Sequence, residues 1–166
     1  TLAGEDKKMG KRWKSGLTVT ELIIISVILC VVTAIVVPEY GKASTEAKEA
    51  KLIYDLQEVR SKIELYSIQH LDKLPGQGAA SFADALTKYT TKEGALAAVQ
   101  SPLPKVYGPY LEEVPTNLFN NKKTVTIAPV APGQPGDAGW FLNSTTGRFR
   151  ADDKLHSSSG TSHSAL

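Results

Sequence analysis

The hydrophobic pattern of this chain changes twice. From Leu17 to Val37 the residues read LTVTELIIISVILCVVTAIVV, 21 positions with a single charge, Glu21. An apolar surface on every side predicts a helix that only lipid or neighbouring copies can bury. At about 1.5 Å per residue it would be roughly 32 Å long, the thickness of a bilayer core. From Gly41 to His70 the pattern becomes amphipathic. Ala43, Ala47, Ala50, Ile53, Leu56, Val59, Ile63 and Tyr66 recur at three- and four-residue steps, with Lys42, Glu46, Glu49, Asp55, Glu58 and Lys62 largely off that face. One helix is therefore predicted from about Leu17 to His70, with its second half suited to packing on a sheet. Pro38 cannot bond the Ala34 carbonyl and should kink it.

The remaining pattern is shorter in period. DKLPGQG, residues 72–78, ends the long helix. Ser81 followed three residues later by Asp84 reads as the capped start of a short helix over SFADALTKYT, and a second helical piece is expected from Lys92 to Val99. Three groups, KKTVTIA, GWFLN and TGRFRA, alternate in character and are separated by turn residues, as expected for antiparallel strands, with Thr146-Gly147 turning the last hairpin. The final segment, HSSSGTSHSAL, is polar and serine-rich, so residues 156–166 are expected to be disordered with His156 and His163 solvated. The expected class is α+β: a long N-terminal helix packed by its second half on a small antiparallel sheet.

Composition narrows the function. One cysteine, Cys30, excludes an intrachain disulfide and a multi-cysteine zinc site. The net charge of +2 is unevenly placed. The first sixteen residues carry Lys7, Lys8, Lys11, Arg12 and Lys14 against Glu5 and Asp6, which leaves the rest of the chain slightly acidic. A basic head before an apolar run predicts a cytoplasmic N-terminus. It also disfavours nucleic-acid binding by the remainder, since phosphate contacts need a basic surface. A secretory signal peptide fits poorly, because Pro38, Glu39 and Tyr40 follow the apolar run where a small-residue cleavage site would stand. A plain single-span anchor accounts for everything except Glu21. A mid-membrane acid costs about 2.5–3.5 kcal/mol on insertion scales, so Glu21 must either reach the interface or find a cation.

Gly16, Leu17, Glu21 and Pro38 together carry a resemblance. A basic leader ending in glycine, an apolar residue next, a glutamate four residues after that, and a proline at the end of the apolar run are similar to the processing signal of type IV pilins and type II secretion pseudopilins. The later order, a GPYL segment and a P-x-N before a small meander ending in GW and TG, resembles the G-type pseudopilins. The resemblance implies cleavage between Gly16 and Leu17 by a prepilin peptidase, N-methylation of Leu17, and a need for Glu21 in assembly. It implies a leader over 1–16, a membrane and filament-core helix over 17–40, a periplasmic pilin-like domain over 41–155, and the tail at 156–166. The implied partners are other pseudopilins in a homopolymer, the peptidase, the inner-membrane secretion platform and membrane lipid, with no nucleic acid. The implied location is a single-pass inner-membrane protein that assembles into a periplasmic pseudopilus. Pilins of adhesion, motility or DNA uptake share the N-terminal signal and remain the alternative.

Catalytic patterns are missing from the sequence. It has no GxSxG elbow, no Walker lysine loop and no HExxH helix, so no enzyme is expected. Gly76-Gln77-Gly78 follows a helix rather than a strand and lacks a third glycine, which rejects a dinucleotide site. G-type pseudopilins hold calcium in an acidic C-terminal loop. The corresponding loop here, APVAPGQPGDAG, offers Asp137, with Asp152 and Asp153 following. A calcium ion takes six to eight oxygens, and with so few carboxylates no cofactor is expected, these three aspartates being the weak candidates.

Overall fold

The structure, a computed structural model, describes residues 16–98, 105–131 and 136–166. It divides into two units, Thr1–Lys42 and Ala43–Leu166. Helix α1, Val19–Gln69, runs through both and contains Pro38. In the first unit every described residue is exposed. Its apolar side chains have no cover of their own. The hydroxyls inside this stretch turn back to the helix: Ser26 Oγ donates to the Ile23 carbonyl at 2.8 Å and Thr33 Oγ1 to the Leu29 carbonyl at 2.8 Å. Such back-bonding satisfies a polar group where no water is at hand.

In the second unit α1 buries Leu52, Leu56, Val59, Ile63 and Tyr66, a strict alternation of four- and three-residue steps. This corrects the predicted face. Ile53 is 41% exposed and Ala43, Ala47 and Ala50 are exposed, whereas Glu49 and Asp55 are buried. The sequence pattern assigned the two acids to solvent, but each has a partner: Lys51 Nζ donates to both Asp55 oxygens at 2.8 and 3.1 Å, and Glu49 is held by the tail. Leu71 and Asp72 end the helix in the left-handed region, both with φ of 59°.

Helix α2, Phe82–Thr87, starts at Ser81, whose Oγ accepts from Asp84 N at 3.1 Å as predicted. The second helical piece expected from Lys92 to Val99 is not found among the described residues, Val99 lying outside them. Residues 92–94 form a turn, and Leu96 bridges back to Thr90. Strand β1, Thr90–Thr91, pairs antiparallel with β2, Val106–Tyr107. The principal sheet comprises β3, Val125–Ala128, β4, Trp140–Asn143, and β5, Phe149–Ala151, in the order β3-β4-β5. All three were expected to be antiparallel. β4 and β5 are, with Leu142 opposite Phe149, but β3 runs parallel to β4 with Val125 opposite Trp140. Eleven residues, Pro129–Gly139, separate the two strands, which is more than a tight antiparallel hairpin needs. The β4–β5 hairpin turns at Gly147, whose φ of 72° suits glycine.

Central strand β4 is buried on both faces. Trp140 and Leu142 enter the core with Phe149, Phe82, Leu86 and the buried face of α1. On the other face the Arg150 guanidinium lies 4.9 Å from the Phe141 ring centre. The tail is the largest departure from expectation. His156 is exposed as predicted, but the segment is ordered and His163 is fully buried, inside a short 3₁₀ turn, His163–Ala165. Its serines find partners within the fold, Ser158 N and Oγ both donating to the Glu49 carboxylate at 2.6 and 2.9 Å. Arg60 fastens the same region, its Nε donating to the Phe149 carbonyl and its Nη1 to Leu166 O, both at 2.9 Å.

Candidate functional site

The N-terminal motif is built around the first turn of α1. Gly16 and Leu17 precede the helix and are exposed, so the bond between them lies in non-helical backbone that a peptidase can enter. Nothing lies within 4 Å of a side chain placed at Gly16. Thr18 and Glu21 then form a reciprocal cap. Glu21 N donates to Thr18 Oγ1 at 3.2 Å, and Glu21 Oε2 accepts from Thr18 N at 2.8 Å and from Thr18 Oγ1 at 2.7 Å. This is a Thr-x-x-Glu capping box, which satisfies orphan amides of a helix start and places a carboxylate at its positive end. Glu21 thus has a partner three residues away rather than only a charge awaiting a cation. The spacing was legible in the sequence, and reading Glu21 solely as a membrane acid missed it. Among the described residues, its Oε1 accepts no hydrogen bond.

Pro38 and the helix around it continue the exposed apolar surface. α1 is the helix, among the described residues, that is long and apolar enough to cross a membrane by length and composition. This is the arrangement a single-pass anchor needs.

The three aspartates considered for calcium are placed differently. Asp137 is exposed, while Asp152 and Asp153 are 1% and 3% exposed. Asp152 Oδ2 accepts from Ala138 N at 3.1 Å. Asp153 Oδ2 accepts from Asn117 Nδ2 at 2.8 Å, and its Oδ1 accepts from Leu155 N at 3.0 Å and from the imidazole Nδ1 of His163 at 2.8 Å. The carboxylates therefore face protein N–H groups. A hard cation needs oxygens in place of donors, and this donor set does not fit calcium. Among the described residues, no group of three or more His, Cys, Asp or Glu is arranged to hold a metal ion. Asn117 and His163, both fully buried, were not identified from the sequence as parts of one cluster.

Comparison with known proteins follows the same lines. The chain is 25% identical over 153 residues to a protein named type II secretion system core protein G from Aeromonas hydrophila, with 89% of this chain and 94% of that protein covered. This chain is a homologue of that core protein. The shared length includes nearly the whole of both proteins, so the likeness extends well beyond an apolar N-terminal segment. The long N-terminal helix followed by small sheets gives the chain a pilin-like α+β fold. No protein-family model matches the chain, and no solved structure matches it.

Proposed function

We propose that this protein is a pseudopilin, a structural subunit of a type II secretion pseudopilus. It is processed by a prepilin peptidase between Gly16 and Leu17, methylated at Leu17, and polymerised with other pseudopilins to move folded proteins through the outer membrane. It works without catalysis of its own. Before assembly it sits in the inner membrane with its N-terminus in the cytoplasm and the unit from Ala43 onward in the periplasm, where it meets the secretion platform. The observation that carries this reading is the combination of an accessible Gly16–Leu17 bond, a capped Glu21 and a wholly exposed apolar stretch of α1 in a homologue of core protein G.

Cleavage creates an amine at Leu17, which methylation leaves charged. In the apolar bundle of a filament that amine, from the same or a neighbouring subunit, neutralises Glu21. Breaking a buried pair by removing one partner costs about 3–5 kcal/mol. Glu21→Leu should therefore leave insertion and cleavage intact while filament formation and secretion fall sharply, with Glu21→Asp in between. The measurement is intact mass of membrane-extracted protein, for cleavage and methyl-Leu17, alongside sheared filaments and secreted cargo. Recovery of an uncleaved chain from cells with active peptidase would establish a plain anchor instead. A cleaved Glu21→Leu protein that secretes like the parent would remove Glu21 from the mechanism.

A further inference from the structure

The loop that joins β3 to β4 is gripped from one direction. Four successive carbonyls, those of residues 136–139, all accept from side chains of the segment 117–122. Lys122 Nζ donates to Gly136 O at 2.8 Å and to Asp137 O at 2.9 Å. Asn120 Nδ2 donates to Ala138 O at 2.8 Å and to Asp152 O at 3.2 Å, and Asn117 Nδ2 donates to Gly139 O at 3.0 Å. The grip is tight enough that a Cβ at Gly139 would stand 2.1 Å from the Lys122 carbonyl oxygen, so only glycine fits there. Two adjacent carbonyls sharing one positive partner, next to buried carboxylates, resemble the surroundings of a bound cation. Here the positive charge at the loop carbonyls is an ammonium belonging to the chain itself.

We propose that Lys122 is the resident cation of this segment and that it replaces a divalent metal in holding residues 136–139 against the segment 117–122. Lys122 supplies up to three N–H donors, two of which meet the carbonyls of 136 and 137. Both oxygens of the buried Asp153 carboxylate are already met by N–H donors from Asn117, Leu155 and His163. A metal entering here would have to displace the ammonium and turn both asparagine amides around. The fold is thus closed independently of calcium concentration, which suits a subunit working outside the cytoplasm where that concentration varies. The consequence for secretion rests on the pseudopilin reading, whereas the loop chemistry does not.

The test uses the full chain extracted in detergent. For the parent, thermal unfolding in a chelator and in millimolar calcium should coincide within about 1 °C, because a ligand that does not bind the folded state does not shift it. A calcium-dependent rise of several degrees in the parent would overturn the proposal, leaving the pseudopilin reading in place. Lys122→Met keeps the aliphatic stem and removes the charge. Amide exchange at Asp137, Ala138 and Gly139 should then rise by about tenfold or more, with exchange in the core of α1 unchanged, and Lys122→Arg should restore part of the protection. Unchanged exchange in Lys122→Met would show that the ammonium does not hold the loop. Lys122→Asp exchanges the resident charge for a metal-binding oxygen group, and its unfolding should become calcium-dependent. If it stays calcium-independent, the loop is not a cation position and the proposal fails.

Discussion

Asn117 is the residue whose loss the structure prices most directly. Its side chain is fully buried and uses both ends of the amide. Oδ1 accepts from Phe119 N at 2.9 Å, and Nδ2 donates to Gly139 O at 3.0 Å and to Asp153 Oδ2 at 2.8 Å. Asn117→Leu keeps the branching and the number of heavy atoms but none of these bonds. Gly139 O still receives Asp152 N at 3.0 Å, so its loss is minor. Phe119 N is left without its acceptor, at a cost of about 1–2 kcal/mol, and the carboxylate oxygen of Asp153 loses a charge-assisted bond worth about 1.5–3 kcal/mol. The expected destabilisation is about 3–5 kcal/mol, or roughly 10–20 °C in Tm for a unit of this size. Urea unfolding followed by near-UV circular dichroism measures it. Trp140, buried and donating from Nε1 to the Pro115 carbonyl at 2.8 Å, reports on the same region. A variant within about 1 kcal/mol of the parent would refute the view that this polar cluster organises the β3–β5 sheet.

Ile63 is 4% exposed and lies in the core with Trp140 and Phe149. Ile63→Asp should cost about 3–5 kcal/mol by burying an unpaired charge, against about 0.5–1.5 kcal/mol for Ile63→Val, and thermal melts of the two separate packing loss from charge burial. His70 carries a pH dependence. Its ring stacks on Tyr66 at 3.7 Å, Nδ1 meets the Tyr66 carbonyl at 2.8 Å, and Nε2 meets Thr90 Oγ1 at 2.9 Å. Burial lowers its pKa below the ordinary 6.5, an effect that the backbone hydrogen bonds and the negative charge of Glu93 only partly offset. The folded state then binds fewer protons than the unfolded one. The stability from neutral His70 is fully present above about pH 6.5 and is lost as pH falls toward the lowered value. Melts between pH 7.5 and 5.5 should show a steeper loss for the parent than for His70→Gln, and parallel curves would remove His70 from the pH response.

Much of this fold is written in local pattern, and what is not has a common cause. The long helix, the Ser81 cap, the three short strands and the Gly147 turn each depend on residues within a few positions of one another. Apart from the local Thr18–Glu21 cap and the turn at 92–94, the errors are choices of partner across the chain. The face of α1 was assigned by counting alanines and setting aside acids. Glu49 is nonetheless buried, because Ser158, 109 residues later, supplies two donors to its carboxylate. The parallel pairing of β3 with β4 is a choice of direction that strand alternation does not encode. The tail has a disordered composition, yet Asp153 and Arg60 give it charged anchors, and a serine-rich segment folds when such anchors satisfy it. The N-terminal motif is the more compact signal, since Gly16, Leu17, Glu21 and Pro38 are recognised by fixed spacing along the sequence.

The capping geometry also constrains how Glu21 can take part in assembly. Both Thr18 donors converge on a single oxygen, Oε2. An amine arriving at Oε1 therefore adds to the cap without displacing it. Before assembly, the two Thr18 bonds lower the cost of keeping a carboxylate at the edge of the bilayer, since a hydrogen-bonded acid is less expensive there than a bare one. In the proposed filament the same bonds would hold the carboxylate in place while the Leu17 amine bound on its other side. Pairing would then need no rotation of the side chain and no unwinding of the first turn. A carboxylate fixed at the first turn of each helix would define one height along the filament axis. The amine of the neighbouring subunit would have to meet it there, which would set the axial register between two otherwise featureless apolar helices.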